Sequence, residues 1–186
     1  DEIPSPYLTG ILDEFLELDL GVLIQRTRGC PFTCTFCTEG TEYYNKVARF
    51  STNRFRSELE YCAQRLGNKS GRRETLFIAD ANFGMFPEDM EVAEDLYRIQ
   101  REYGWPKKLD VATGKNKKDR VIKVMEKIDS AAPGVARMTA SVQSTNQQVL
   151  KNIKRSNISL TALVGGAKES NAKEMLRSYG EVILAL

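Results

Sequence analysis

Three of the four cysteines in this 186-residue sequence lie close together, at positions 30, 34 and 37 in the stretch RGCPFTCTFC. Cysteines at such spacings can form a disulfide, hold a zinc ion or hold an iron–sulfur cluster. The sequence contains no histidine, which excludes Ser-His-Asp triads, Cys-His nucleophiles and zinc sites that use imidazole. Any metal in this chain must therefore be held by sulfur or oxygen atoms.

The spacing alone leaves these three interpretations open. A disulfide would leave one of the three cysteines unpaired, and it would be unusual in a chain without a secretory signal. A structural zinc site needs four protein ligands. The remaining cysteine, Cys62, is predicted near the apolar face of a helix, where a thiol behaves as a small buried hydrophobe. In a 4Fe–4S cluster, three cysteines would ligate three irons and leave the fourth iron open to a small molecule.

The bulk composition narrows the class of protein. Apolar residues make up 41% and charged residues 28% of the chain, as is typical of globular domains. A net charge of +2 gives no argument for a nucleic-acid partner. No apolar run approaches the roughly 20 residues that span a bilayer, and no signal peptide opens the chain. We therefore expect a cytoplasmic protein with no membrane partner, and both ends suggest a segment excised from a longer chain.

Hydrophobic periodicity predicts strands and helices in alternation. The predicted strands are residues 21–27, 74–80, 108–113, 134–144 and 181–186. The predicted helices run from Ser51 to Gly67, from Pro87 to near Gly104, and over 118–128, 146–155 and 159–177. This order predicts an α/β fold with a parallel sheet and right-handed crossovers.

In such folds, functional residues gather at the carboxyl ends of the strands. The cysteine loop follows the first predicted strand and therefore lies at this edge. Polar residues that follow the other strands complete the predicted site: Asp80, Asn82, Thr113, Lys115, Asn116, Ser141, Gln143, Ser144 and Glu181.

Residues 1–20 stand outside the strand–helix repeat. Two prolines and then a Leu- and Ile-rich stretch indicate a linker that leads into a short amphipathic helix. We expect this segment to pack over the sheet rather than to bind a partner, and residues 21–186 to form the core domain.

The pattern Cys-x3-Cys-x-aromatic-Cys, directly after a first strand, resembles the signature of the radical S-adenosylmethionine (SAM) superfamily. The fuller run RGCPFTCTFC, with SPYLTGILDEFLE before it and DANFG after it, resembles the branch that carries a cobalamin-binding domain. The resemblance extends over nearly the whole chain. It implies a partial (β/α)6-type barrel of parallel strands that is truncated after the fifth strand.

The resemblance also implies roles for individual residues. Cys30, Cys34 and Cys37 match the ligands of a 4Fe–4S cluster, with Phe36 packed beside it. The amino and carboxylate groups of SAM would chelate the open iron, and an electron from the reduced cluster would release a 5′-deoxyadenosyl radical. The family often carries a Gly-Gly-Glu stretch for the SAM amino group, whereas this chain has DANFG at 80–84. Asp80 or groups near Asn82 would replace that stretch, unless these residues only bond their own backbone in a turn.

The remaining SAM contacts are implied by the later strands. Ser141 and Gln143 match the ribose positions, and Arg155 matches the partner of the SAM carboxylate, which a guanidinium can bind with two parallel hydrogen bonds. The alternative is a helix cap at Ser144 and a solvated surface position for Arg155. The resemblance places Glu181 and Ile183 near the adenine. Two further residues, Lys115 and Asn116, are predicted at the mouth of the barrel.

The implied reaction class is cobalamin-dependent methylation of an unactivated carbon or a related radical reaction. The cobalamin would bind to an upstream domain outside this chain, the substrate would be a small molecule, and the reductant would be a flavodoxin or ferredoxin. One alternative is a methylthiotransferase-like enzyme, which usually needs three further cysteines that this sequence lacks. Another alternative is a non-catalytic zinc-binding module.

Overall fold

The computed structural model describes residues 2–157 and 177–184. The strands are β1 (Val22–Ile24), β2 (Thr27–Arg28), β3 (Ala48–Arg49), β4 (Thr75–Phe83), β5 (Lys108–Thr113), β6 (Arg137–Gln143) and β7 (Arg177–Val182). The helices are α1 (Asp13–Leu16), α2 (Thr52–Leu66), α3 (Asp89–Tyr103), α4 (Lys118–Asp129) and α5 (Gln147–Asn152). Two short 3-10 helices span Thr38–Gly40 and Gly71–Glu74.

The main strands are parallel. β4 pairs in parallel with both β1 and β5, and β6 pairs in parallel with β7. A parallel bridge between Leu109 and Ala136 joins β5 to the residue just before β6. The spatial order β1-β4-β5-β6-β7 therefore follows the order along the chain, with α2, α3 and α4 in the connections. The predicted α/β fold with a parallel sheet is confirmed.

The core lies between one face of the sheet and helices α2, α3 and α4. Along β1, Val22 and Ile24 are buried, whereas the intervening Leu23 is 58% exposed, as expected because successive side chains point to opposite faces of a sheet. Each helix contributes fully buried apolar residues to the same cluster, such as Leu59 and Leu96. Burial of one such side chain contributes about 1.5–3 kcal/mol.

Most predicted helix boundaries agree with the structure. The Ser51 side chain accepts a hydrogen bond from the Arg54 backbone N–H and so caps α2. α3 ends before Gly104, which has a left-handed φ of +66° that favours glycine. α2 and α3 have 15 residues each, and the described part of the chain contains no helix long and apolar enough to cross a membrane.

Several predicted elements differ from the structure or fall outside it. The strand predicted at 21–27 is two strands, β1 and β2, because β1 pairs with β4 whereas β2 pairs with β3. β4 continues to Phe83 because its ladder with β5 resumes after an irregularity, with Phe83 opposite Thr113. β7 begins at Arg177 and ends at Val182, and not at 181–186, because its partner β6 ends at Gln143, which lies opposite Val182. The predicted helix at 159–177 lies almost entirely outside the described residues.

The lead-in segment packs on β1 and α2. Tyr7 is buried and donates a hydrogen bond to the Leu23 carbonyl at 2.8 Å. Tyr61 of α2 donates to the Asp13 carboxylate at 2.6 Å. The expected amphipathic helix is only the four-residue α1, and its Leu16 side chain joins the core.

We expect Leu59→Ala to lower the free energy of unfolding by about 2–5 kcal/mol, because it opens a cavity between α2 and the sheet. Urea denaturation of the 186-residue chain would measure this loss. Leu18→Ala is the matched control, since Leu18 is 52% exposed and surface changes cost within about 0.5 kcal/mol. Equal losses in both variants would contradict the packing described here.

Candidate functional site

The cysteine loop is fixed at both ends by backbone hydrogen bonds. It leaves β2 and returns through β3, and these two short strands pair antiparallel. Within the loop, the Cys30 N–H donates to the Tyr44 carbonyl at 2.9 Å, and the Thr35 N–H donates to the Ile153 carbonyl at 3.0 Å. The loop is thereby held against its own return segment and against the end of α5.

Two glycines allow the loop to close tightly. Gly29 has a φ of +90°, and a Cβ atom there would lie 2.4 Å from the Lys46 carbonyl oxygen. A Cβ atom on Gly40 would lie 2.2 Å from the carbonyl oxygen of Cys34. Real Cβ atoms do not approach backbone this closely, so both positions require glycine for the loop to keep its path.

The four cysteines occupy two different environments. Cys30 and Cys34 are buried, Cys37 is half-buried, and all three are free thiols on the loop. Cys62 is fully buried on α2, where desolvation and then the charge of Glu58 raise the pKa of its thiol to about 12. Cys62 is therefore a neutral thiol within the core, as the sequence interpretation expected.

Asn82 connects β4 to the first cysteine of the loop. Its side-chain Nδ2 donates to the Cys30 Sγ at 3.2 Å. The Asn82 side chain is 3% exposed, and its Oδ1 has no hydrogen-bond partner among the described residues. Its backbone carbonyl accepts from the Met85 N–H at 3.2 Å. The backbone of Asn82 thus forms the predicted turn, but its side chain does not bond that turn and instead contacts Cys30 of the cysteine loop.

Asp80 fixes the chain just before the cysteines. Its Oδ1 accepts hydrogen bonds from the backbone N–H groups of Arg26 and Thr27, both at 2.9 Å. Burial raises the pKa of the Asp80 carboxyl, and the N–H groups of Thr27 and Arg26 oppose that shift. Asp80 lies within β4 and bonds a distant segment, so the alternative that it bonds its own backbone in a turn is wrong.

Arg155 crosses from the end of α5 to the end of β6. The alternative that its side chain is solvated is wrong, because Arg155 is 5% exposed. Nε donates to the Asn157 Oδ1 at 2.7 Å, and Nη2 donates to the Ser141 carbonyl. Asn157 in turn donates to the carbonyls of Val142 at 2.6 Å and Ser144 at 3.1 Å. The guanidinium is therefore held in place by the carboxyl end of β6.

The same guanidinium lies among the cysteines. Desolvation lowers the pKa of Arg155, and the thiols of Cys34, Cys37 and Cys30 oppose the shift, most strongly Cys34. Nη1 is buried and has no hydrogen-bond partner of normal geometry among the described residues, although Cys34 favours the charged guanidinium through its charge and through a longer-range side-chain hydrogen bond. The Phe36 ring centroid lies 5.9 Å from the guanidinium carbon.

The residues predicted near ribose and adenine come together where β6 and β7 end. The Ser141 hydroxyl donates to the Glu181 carboxylate at 2.5 Å, and the Ile183 N–H donates to the Gln143 carbonyl at 2.9 Å. Gln143 has a left-handed φ of +64° at a register shift of the ladder. The cap of α5 is Asn146 and not Ser144, because the Asn146 side chain accepts from the first N–H groups of that helix.

Two cavities meet at Cys34. The smaller, of about 140 Å³, is lined by residues that include Lys115, Asn116, Lys154 and Ser156. The larger, of about 570 Å³, also contacts Cys37, Gly40 and Lys154. Lys115 and Asn116 thus lie beside the cysteine loop, as expected from their position after β5. Thr113 is buried at the end of β5.

The donor chemistry of this edge fits a thiolate-held cluster. Sulfur supplies three free ligand atoms on one loop, and the Arg155 cation lies beside them. Several polar atoms around the loop are buried without a hydrogen-bond partner in the described chain: Arg26 Nε, Thr27 Oγ1, Asn82 Oδ1 and Arg155 Nη1. In the described part of the chain, however, no three cysteine or carboxylate side chains are gathered closely enough to hold a metal ion. The ligand assignment therefore stays a prediction.

Comparison with known proteins identifies the family. No protein-family profile matches the chain. The cobalamin-dependent radical SAM methyltransferase TokK of Streptomyces tokunonensis is 35% identical over 191 residues, covering 100% of this chain. The 2-(S-pantetheinyl)-carbapenam-3-carboxylate methyltransferase of Streptantibioticus cattleyicolor is also 35% identical over 191 residues. The resemblance to the cobalamin-dependent branch of the radical SAM superfamily is thus confirmed over the whole length of this chain. The chain spans 27% of the length of each of these two relatives.

Solved structures of a radical SAM enzyme share the fold. The cobalamin-dependent SAM radical enzyme OxsB, with aqua-cobalamin and SAM bound, superposes with a TM-score of 0.60 at 18% identity. The match covers 97% of this chain and 26% of OxsB. A second OxsB structure, with aqua-cobalamin bound, gives a TM-score of 0.62 at 17% identity. These matches agree with the predicted partial domain of the radical SAM fold.

A buried ion pair beside the cysteine loop has no counterpart among the residues predicted from the sequence. Arg26 Nη2 lies 2.5 Å from Asp89 Oδ1, and the two side chains are 2% and 1% exposed. Asp89 also accepts from the Phe86 N–H at 2.9 Å. Burial raises the pKa of Asp89, and the N–H of Phe86 and the charge of Arg26 oppose this. Nothing local in the sequence connects two residues that are 63 positions apart. Asn157, which binds Arg155 and the end of β6, was not predicted either.

We expect the cysteine loop to bind iron after anaerobic reconstitution, and Gly40→Ala to remove most of that iron. The added methyl group would meet the backbone of Cys34 and force the loop to move. Iron and sulfide analysis would measure the loss. Gly134→Ala is the control, since a Cβ there meets no atom within 4 Å at a φ of +88°, so it incurs only about 1–2 kcal/mol of backbone strain. Full iron content in the Gly40 variant would contradict the tight loop.

Proposed function

We propose that this chain is the cluster-binding and SAM-cleaving core of a cobalamin-dependent radical SAM enzyme. The observation that carries the proposal is that one loop holds three free cysteines, with the Asn82 amide from β4 and the Arg155 guanidinium from beyond α5 beside it. Bound to this loop, a 4Fe–4S cluster would supply the electron that cleaves SAM to a 5′-deoxyadenosyl radical. A structural zinc site would need a fourth protein ligand, whereas the remaining cysteine, Cys62, is buried in the core on α2.

The chain's own residues would hold and shield the cluster. Cys30, Cys34 and Cys37 would be the ligands, with the loop fixed by its hydrogen bonds to Tyr44 and Ile153. Cys30 and Cys34 are buried, so little of either residue is open to water. Water exclusion strengthens the electrostatic interactions of the site and protects a reactive radical from side reactions.

The unpartnered polar atoms suggest how SAM would be held. The Asn82 Oδ1 is a buried acceptor that suits the ammonium of the methionine moiety. Arg155 would meet the carboxylate through Nη1 alone, because Nε and Nη2 are held by Asn157 and Ser141. A single charge-assisted bond replaces the two-pronged contact expected from the sequence.

The remaining SAM contacts would lie at the ends of β6 and β7. The Ser141–Glu181 pair offers acceptors for ribose hydroxyls, and the backbone joining Gln143 to Ile183 would lie beside the adenine. Asp80 would not contact SAM itself. It would position the cysteine loop by holding the backbone of Arg26 and Thr27, which precede the loop. Lys115 would face SAM or an anionic substrate from the cavity beside Cys34.

Methyl transfer is the reaction class that the relatives favour, since both carry methyltransferase in their names. The name of the second relative specifies a carboxylate, and Lys115 and Lys154 line a cavity that would suit such an acidic group. We further propose a small-molecule substrate, cobalamin bound by another part of the whole protein, and a flavodoxin or ferredoxin as the reductant. A methylthiotransferase-like reaction would usually require three more cysteines.

We expect the anaerobically reconstituted and reduced protein to give an electron paramagnetic resonance (EPR) signal of a reduced 4Fe–4S cluster that changes when SAM is added. Cys34→Ala should abolish this signal and the bound iron. Cys62→Ala is the matched control and should keep both, because Cys62 lies in the core on α2. A signal indifferent to SAM would indicate an electron carrier. Zinc retained without any cluster would refute the proposal.

We expect Arg155→Ala to weaken SAM binding about tenfold, or roughly 1.4 kcal/mol, because the variant loses the cation beside the cysteines. Its iron content should stay close to that of the natural protein. Equilibrium binding of SAM to the reconstituted protein measures the affinity. Lys151→Ala removes a neighbouring cation from the exposed side of α5 and should leave the affinity unchanged. Unchanged affinity in the Arg155 variant would remove this residue from the SAM site.

A further inference from the structure

The hydrogen bond from Asn82 to Cys30 connects a strand to a predicted cluster ligand. The donor Nδ2 lies 3.2 Å from the Cys30 Sγ. Both residues are buried, with exposures of 3% and 7%. Hydrogen bonds are stronger in such a low-dielectric environment than in water. The contact therefore affects the charge on this sulfur more than a surface contact would.

The chemistry of a ligating sulfur decides which end of the amide can face it. A free thiol can donate weakly or accept weakly, but a thiolate ligand has no proton and can only accept. The amide of Asn82 must then present Nδ2 to the sulfur and direct Oδ1 away from it. The structure has this arrangement, because Nδ2 donates to Cys30 and Oδ1 has no partner among the described residues.

The fold fixes this donor relative to the sulfur. Asp80 and Asn82 are two residues apart in β4 and continue the row of buried side chains begun by Leu76 and Ile78. Asp80 accepts from two backbone N–H groups of the segment that leads to Cys30, while Asn82 donates to Cys30 itself. One face of one strand thus positions both the chain before the ligand and the ligand sulfur.

We propose that Asn82 tunes the reduction potential of the cluster through its N–H···S hydrogen bond to Cys30. This inference rests on the proposed function. Reduction adds one negative charge, part of which resides on the sulfur atoms, so an N–H donor stabilises the reduced cluster more than the oxidised one. Hydrogen bonds to the sulfurs are among the factors that set cluster potentials. Asn82 would therefore raise the potential and make the cluster easier to reduce.

The test is a redox titration of the reconstituted full-length protein with dithionite and mediators, followed by EPR. Asn82→Leu removes the donor at similar volume. Asn82→Asp replaces the N–H donor with a carboxylate oxygen, which in its ionised form cannot donate a hydrogen bond. We expect the ratio of reduced to oxidised cluster at a fixed ambient potential to fall about tenfold in Asn82→Leu, which is about 59 mV for one electron. The fall in Asn82→Asp should be larger.

Asn68→Leu is the matched control, because Asn68 is exposed in the turn after α2 and should leave the potential unchanged. A potential in Asn82→Leu equal to that of the natural protein, with full iron content, would overturn the inference. If the natural protein binds no cluster at all, the proposed function fails first. A SAM-responsive cluster whose potential ignores Asn82 would refute this inference alone.

A second measurement does not depend on the folding of a variant. The natural protein, labelled with ¹⁵N in its asparagine side chains and loaded with the cluster, should show a ¹⁵N hyperfine coupling to the reduced cluster. Electron–nuclear double resonance would detect it, because the described N···S distance of 3.2 Å places the amide nitrogen directly against a ligand sulfur. Absence of any such coupling would overturn the inference even if the Asn82 variants fail to fold.

Discussion

The position of the cysteine loop depends on the carboxylate of Asp80. Its Oδ1 accepts from two successive backbone N–H groups, those of Arg26 and Thr27, where the chain passes from β1 into β2 just before the loop. A carboxylate buried without partners would be strongly unfavourable, so the segment must present these N–H groups to it. The corner between strand and loop is therefore set by β4, a strand that follows later in the chain.

A second buried charge supports the same corner. Arg26 pairs with Asp89 at the start of α3, and both side chains are almost completely buried. Breaking such a pair is strongly destabilising because it leaves one charge uncompensated. Together with Asp80, this pair links the segment before Cys30 to both β4 and α3.

The far side of the loop is held by a different element. Arg155 and Asn157 join the carboxyl end of β6, and the Ile153 carbonyl accepts from Thr35 within the loop. The cysteines thus lie between an early part of the sheet and a late part. Under the proposed function, the loop would supply the cluster ligands while SAM would contact several strands, so both parts of the sheet would have to be positioned relative to the loop.

The sequence by itself determined the order of strands and helices, the edge of the sheet that carries the site, and the cysteine pattern of the family. All three features depend on local periodicity and spacing. The same periodicity separates Cys62 from the three loop cysteines, because Cys62 falls within the apolar pattern of α2. Only the tertiary structure decided which polar groups meet. Asp80 and Arg26 are 54 residues apart, and Asn82 and Cys30 are 52 apart. Such contacts leave no local pattern, because they arise only when parallel strands bring distant residues to one edge.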